Sequence, residues 1–212
     1  MLRYQTLPVT PFQQNCSIVW CDQTMEAAVI DPGGDLSAIP GVVRSTGAKL
    51  RQFLLTHAHI DPAGGTSALA RELSLAITGP HPGDQFWIDA LHQQAQMFGF
   101  PPCEADVPAR WLHDGDEVQV GHETLAVRHG PGHTPGHVAI HSAGARRAFV
   151  GDVFFAGSVG RTDFPGDDHG TLIASITQRL WPMGDDTVFM PGHGLQSTFG
   201  AERRHDPYVG GT

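Results

Sequence analysis

The sequence lacks any apolar run long enough to cross a bilayer, and its opening residues, Met1-Leu2-Arg3-Tyr4-Gln5-Thr6, hold no apolar export segment. No membrane partner is therefore expected. Cysteine is scarce: Cys16, Cys21 and Cys103 are odd in number and none forms a CxxC pair. That argues against a disulfide framework and for reduced thiols in a cytoplasmic protein, used as small apolar residues. Positive charge is also in short supply. Thirteen Lys and Arg against 22 Asp and Glu leave a net charge of −9 with no basic run, so nucleic acid and anionic membrane surfaces are poor partners. Charged residues make up 17% and hydrophobic ones 40%, a balance that excludes disorder. Short repeats and low-complexity segments are absent. Residues 1–212 are long enough for one sizeable core and are read as a single domain.

What the chain has in quantity is histidine, 13 in all, and the informative ones are those that fall into motifs. His57 and His59 sit in Thr56-His57-Ala58-His59-Ile60-Asp61-Pro62-Ala63-Gly64-Gly65, directly after the apolar run Phe53-Leu54-Leu55. Residues two apart on an extended segment face the same side, so both imidazoles can hold one soft cation without bending the backbone. Asp61 falls where the chain leaves the strand for an Ala/Gly-rich helix. An aspartate before a proline also suits a helix N-cap with Pro62 at the first helical position, and this is the competing role for Asp61.

Apolar patterning predicts a hairpin from Ser17-Ile18-Val19-Trp20 and Ala27-Ala28-Val29-Ile30, with a polar turn between them, and Asp31-Pro32-Gly33-Gly34 ends the second run as a tight turn. A weak helix over 36–46, a strand over 50–55, a helix over 63–73 and a strand over 75–78 follow. Trp87, Ala90, Leu91, Met97 and Phe98 recur near helical spacing, predicting a helix over 84–98. Strands are then expected at 117–120, 124–127, 137–141 and 148–150, a helix at 171–180 closed by Trp181-Pro182, and a last strand at 187–190. Strands followed by a strand–helix unit in both halves imply two packed sheets with helices outside.

Three further segments end an apolar strand in a small-residue turn carrying a ligand-type side chain: Gly130-Pro131-Gly132-His133-Thr134-Pro135-Gly136-His137, Ala148-Phe149-Val150-Gly151-Asp152, and Val188-Phe189-Met190-Pro191-Gly192-His193-Gly194. Together with the first motif they closely resemble the metallo-β-lactamase superfamily, whose pattern is HxHxDH, a lone His, a lone Asp and a final His. The resemblance spans nearly the whole chain. It is closest to the glyoxalase II-like branch, through Pro131-Gly132-His133-Thr134-Pro135-Gly136-His137, Gly160-Arg161-Thr162-Asp163-Phe164 and Pro191-Gly192-His193-Gly194. The tail from Ser197 to Tyr208 is similar to the ending of short members of that branch, which lack a C-terminal helical glutathione-binding domain.

The resemblance implies an α/β fold, a four-layer αββα sandwich, with metals at one edge of the sheets. By motif position His57, His59 and His133 would hold the first metal, Asp152 would bridge, and Asp61 and His193 would serve the second. His137 is the alternative to His133. His129, His141, His169 and His205 are left to solvent or to supporting hydrogen bonds. The family's third clustered histidine would fall at position 62, where Pro62 has no ligand to offer, so the second site is expected to be weak. The cofactor implied is Zn2+, one or two per chain, with Fe as the other candidate.

The activity implied is hydrolysis of an acyl thioester such as S-lactoylglutathione. Zinc brings the pKa of its water toward neutrality, which supplies hydroxide, and Asp61 would orient or deprotonate that water. A thiol of pKa about 8.5 leaves as thiolate without an acid. Arg161 or Arg203 would meet a substrate carboxylate; for Arg161 the competing role is an ion pair with Asp163. The alternative activity is that of a mononuclear iron persulfide dioxygenase, with iron on His57, His133 and Asp152; a non-catalytic member with a damaged site is the third.

Overall fold

The computed structural model describes residues 1–105 and 107–211. Five strands, β1 (Leu2–Val9), β2 (Gln14–Cys21), β3 (Glu26–Ile30), β4 (Lys49–Leu54) and β5 (Ala76–Thr78), pair in that order into one sheet. β1, β2 and β3 run antiparallel, and β4 and β5 join parallel to β3. The second sheet is built from β6 (Glu117–Val120), β7 (Glu123–His129), β8 (Val138–Ser142) and β9 (Arg147–Gly151), with β12 (Val188–Pro191) parallel to β9 and β13 (Ser197–Thr198) at the edge. Between β9 and β12 the chain makes a small separate hairpin, β10 (Phe154–Phe155) and β11 (Ser158–Val159).

Alternation along these strands explains why two sheets need three cores. In the β2–β3 pair, Ile18 and its partner Val29 face outward, whereas Val19 and its partner Ala28 face the other sheet. Phe53 and Leu54 on β4 divide the same way. On the second sheet Val138, Ile140, Phe149 and Met190 fill the space between the sheets, and Ala139, Ala148, Val150 and Phe189 face outward.

Helices cover both outer faces. Over the first sheet lie α1 (Ile39–Thr46), α2 (Ile60–Ala63), α3 (Thr66–Leu73), α4 (Gln85–Asp89) and α5 (Leu91–Phe98), burying Ile39, Val43, Ile60, Leu69, Ile88 and Leu91. Over the second lie α6 (His169–Ser175), which widens into a π-helical turn at Ile176–Leu180, and α7 (Phe199–His205). These bury Leu172, Ile176, Leu180 and Phe199. The layers are helix, sheet, sheet, helix. Among the described residues no helix is long and apolar enough to cross a membrane.

Several elements differ from the sequence expectation. The helix over 36–46 starts only at Ile39, because Pro40 takes its place in the first turn, where a missing N–H costs nothing. The helix over 63–73 is two pieces, α2 and α3, parted at Gly64-Gly65; a Cβ on Gly65 would lie 2.9 Å from the Gly33 carbonyl, so the chain needs glycine to pass there. The helix over 84–98 breaks at Ala90, whose φ and ψ of −91° and 2° leave helical values. The strand over 187–190 is not the last, since β13 and α7 follow. β1 was not anticipated, and its burial does not alternate cleanly.

Candidate metal centre

β4 delivers the first two histidines. Beyond Leu54 the strand gives way to a short loop that bends at Thr56 and His59; the rings of His57 and His59 stand 5.1 Å apart, and α2 begins at the residue after His59. The helix N-cap is therefore His59. Asp61 is the second helical residue and makes no capping bond; Pro62 is the third, where its missing N–H is again harmless. The carboxylate of Asp61 instead meets His193 Nε2 at 2.9 Å, so the structure gives Asp61 a place in the histidine cluster and not the cap.

The other side chains come from the second sheet. His133 lies in the loop between β7 and β8, Asp152 follows β9, and His193 follows β12. Gly151, at φ +47°, turns the chain between β9 and Asp152; a Cβ there would lie 2.5 Å from Thr56 Oγ1 and 2.6 Å from His137 Nε2. A Cβ on Gly192 would collide with Asp152 Oδ1. Glycine at 151 lets the second sheet close on Thr56 of the first, and glycine at 192 leaves room for the Asp152 carboxylate.

The result is two adjoining groups of donors. Ligand atoms of His57, His59 and His133 all lie within 4.8 Å of one another, and so do those of Asp61, Asp152 and His193. His133 Nε2 is 3.7 Å from Asp152 Oδ2, which links the groups, and His193 Nε2 is 3.5 Å from the same oxygen. All but the half-buried His193 are buried.

Hydrogen bonds to the far side of the His57, His133 and His193 rings set which nitrogen faces the cluster. Thr56 Oγ1 donates to Asp31 Oδ2 at 2.8 Å and so accepts from His57 Nδ1 at 3.0 Å, leaving His57 Nε2 as a lone pair. His133 Nδ1 donates to the Arg161 carbonyl at 2.9 Å, which frees Nε2; that atom faces His59 Nδ1 at 3.0 Å. His193 Nδ1 donates to the Phe12 carbonyl at 3.1 Å.

A divalent cation fits this arrangement. His57 Nε2 and Asp152 Oδ1 are buried with no hydrogen-bond partner among the described residues, a cost that buried polar atoms normally avoid. Burial pushes His57 and His59 well below the usual imidazole range, and neighbouring histidines add to the effect. Burial likewise takes His133 down to about 4. These three are neutral donors at physiological pH. Burial raises Asp152 to about 7, only partly offset by His193, so this carboxylate lacks positive charge. Burial also lowers His193, but its bond to Asp61 and the charges of Asp152 and Asp61 outweigh that and bring it to about 9. The donor set, imidazole nitrogen and carboxylate oxygen, suits zinc or iron alike.

Several supporting residues were not singled out from sequence. Asp31, read only as part of a turn, accepts the Thr56 N–H at 2.8 Å as well as its hydroxyl. Asp84, fully buried, accepts from Ala58 N at 3.0 Å, Thr134 Oγ1 at 2.8 Å and Gly136 N at 2.6 Å. Asn15 Nδ2 donates to the carbonyls of Pro191 and Gly194 at 3.0 and 2.9 Å, bracing the His193 turn. His137 is a brace too: its Nε2 accepts the Asp152 N–H at 3.1 Å, and its ring stacks on His57 at 4.6 Å. That nitrogen is already engaged, which leaves His133 as the ring turned toward the cluster.

A cavity of about 630 Å3 opens over the cluster, and His59, Asp61, His133, Asp152 and His193 form its floor. Arg161 is on its wall, with its guanidinium bound to Asp163 through two 2.7 Å hydrogen bonds. Arg203 does not line it; α7 holds Arg203 beside Asp185 at 3.5 Å.

The sequence profile of the metallo-beta-lactamase superfamily matches residues 9–193. The chain is 39% identical over 209 residues to a hydroxyacylglutathione hydrolase, GloC, of Haemophilus influenzae, with 98% of each chain covered. Among solved structures it is similar to the BLEG-1 B3 metallo-beta-lactamase, with a TM-score of 0.90 and 33% identity over 99% of this chain and 100% of that one. A protein crystallised in a di-iron-bound form, TTHA1623, gives a TM-score of 0.87 and 34% identity over 97% and 100% of the two chains.

Proposed function

The chain belongs to the metallo-β-lactamase superfamily, and from that premise we propose that it is a metal-dependent hydrolase of acyl thioesters, of the hydroxyacylglutathione type. The observation that carries this reading is the pair of donor groups, three neutral histidines beside Asp61, Asp152 and His193, on the floor of a substrate-sized cavity. His57, His59 and His133 would hold one cation, and Asp61 and His193 a second, with Asp152 between them. A cation there would make a coordinated water acidic near neutral pH and polarise a carbonyl.

The chain's own residues supply the rest. Asp61 lines the cavity and can accept a proton from a water on its open side, while its bond to His193 fixes its orientation. Among the described residues lining the cavity, no side chain outside the two donor groups stands out as a general acid. A thioester needs none, because a thiol of pKa about 8.5 departs as thiolate. Full overlap with the Haemophilus hydrolase supports the glutathione thioester as the first substrate to try.

The test is anaerobic turnover of S-lactoylglutathione by the metal-loaded chain, followed as release of free thiol, with H133A and D152N as controls. Thiol release that both variants abolish supports the proposal. Oxygen uptake with glutathione persulfide and no thioester turnover would replace it with the dioxygenase alternative. Metal bound with neither activity would point to a non-catalytic member.

A further inference from the structure

The cavity wall above the metal ligands is assembled from segments distant in sequence, and their side chains share one character. Phe12 comes from the β1–β2 turn, Trp87 from α4, Met97 and Phe98 from α5, Phe155 from β10, and Phe164 from the loop before α6. Their rings touch in a chain: Phe12 to Phe98 at 6.0 Å, Phe98 to Phe164 at 6.3 Å and Phe164 to Trp87 at 6.0 Å. Met97 is 75% exposed, Phe12 44% and Phe98 36%. Large apolar groups gathered at the rim of a catalytic pocket are held in water at a cost that a ligand can relieve.

The same wall has little to offer an anion. Among the described residues lining it, Arg161 is the basic side chain other than histidine. Its guanidinium is engaged twice, by the two hydrogen bonds to Asp163 and by the face of Phe164, 4.0 Å away. A substrate carboxylate would have to displace Asp163. The volume, about 630 Å3, is in the range that holds drug-sized ligands, about 300–1,000 Å3. With the thiol carrier outside, a three-carbon lactoyl group would leave most of it filled with water against aromatic rings.

We infer that the preferred substrate carries a bulky apolar acyl group, aryl or medium-chain alkyl, seated against Phe12, Trp87, Met97, Phe98, Phe155 and Phe164, with the charged thiol carrier left toward solvent. This rests on the thioesterase reading and narrows it to a substrate class. Each methylene moved from water into such a wall is worth about a fourfold gain in affinity.

Two measurements on the metal-loaded chain test it. Calorimetry with the thioethers S-octylglutathione and S-methylglutathione reads binding without turnover. The octyl compound is expected to bind at least tenfold more tightly, and Phe98→Ala, at a half-exposed position, to narrow that gap. The second measurement is kcat/KM for S-phenylacetyl-, S-octanoyl- and S-acetylglutathione, expected to rise at least tenfold from acetyl to the larger esters, through KM. Equal thioether affinities, or kcat/KM flat or falling with acyl size while S-acetylglutathione is still cleaved, would overturn the acyl assignment and leave the thioesterase reading standing. Cleavage of none of the esters would defeat that reading and the assignment together.

Discussion

The carboxylate of Asp84 accepts the hydroxyl of Thr134 at 2.8 Å and, through the same oxygen, the N–H of Ala58 at 3.0 Å. Ala58 lies between His57 and His59, and Thr134 follows His133, so one buried side chain sets the separation of the two loops that bear all three histidines. Asp84→Asn puts an amide where donors converge from both loops. We expect a loss of about 3 kcal/mol in unfolding free energy, the scale for a buried acceptor stripped of its partners, and metal affinity about 10–100-fold weaker. Urea unfolding of the metal-stripped chain and competition with a chromophoric chelator check the two separately. Wild-type values in both would remove Asp84 from the account.

Thr56→Val keeps the shape of the side chain but deletes the link between Asp31 and His57 Nδ1. His57 then loses the bond that fixes its tautomer. Metal affinity should fall about 10–100-fold, while the far-ultraviolet circular dichroism stays that of the wild type.

Gly192→Ala drives a methyl group into Asp152 Oδ1. Either the carboxylate or the turn must shift, at about 1–3 kcal/mol for an overpacked site. The expected readout is a lowered thermal midpoint together with fewer metal equivalents per chain by elemental analysis.

Pro62 occupies a buried helical position next to Asp61. By motif position Pro62→His would restore the family's third clustered histidine, and metal stoichiometry should rise toward two per chain with faster thioester hydrolysis. A stoichiometry unchanged from that of the wild type would overturn the idea that Pro62 weakens the second site.

Away from the metal ligands, His81 stacks on His129 at 4.0 Å, with His113 5.3 Å away. Burial first, then the two neighbours, takes His81 from 6.5 down to about 4. The unfolded chain therefore binds more protons between these values, and stability falls as pH drops through the window from about 6.5 to about 4. In His81→Asn the side-chain oxygen can still accept the Gly83 N–H that His81 Nδ1 accepts at 3.1 Å. Its urea midpoint should vary less with pH than that of the wild type across that window.

His57, His59, Asp152 and His193 stood out in the sequence because each follows an apolar run, and His133 because it stands in a Gly/Pro turn; the set of six, Asp61 included, came from the motif order of the family they resemble. Strands β2, β3, β8 and β9 were legible as short apolar runs, but which residues face the other sheet was not, because both faces of these strands are buried. Asp31 and Asp84 were not, since their partners are backbone and hydroxyl groups 25 to 52 residues away, and a buried carboxylate among such partners leaves no periodicity. β1 escaped because Arg3, Gln5 and Pro8 put exposed residues among half-buried ones along an edge strand. The two roles open for Asp61 were separated only by tertiary structure, which starts α2 one residue before it and brings His193 from 132 residues away. Arg203 suggested a substrate contact by its charge alone, and the fold places it elsewhere.

The donors divide evenly by origin. His57, His59 and Asp61 follow the first sheet, and His133, Asp152 and His193 follow strands of the second. A cation seated among them is thus a rivet through the sandwich as well as a reagent. At a thousandfold excess over its dissociation constant, an ion that binds only the folded chain adds about 4 kcal/mol to its stability. Starvation for metal withdraws that increment and exposes the unfolded fraction to proteases. If the cation binds that tightly, abundance as well as turnover would then follow the supply of ion.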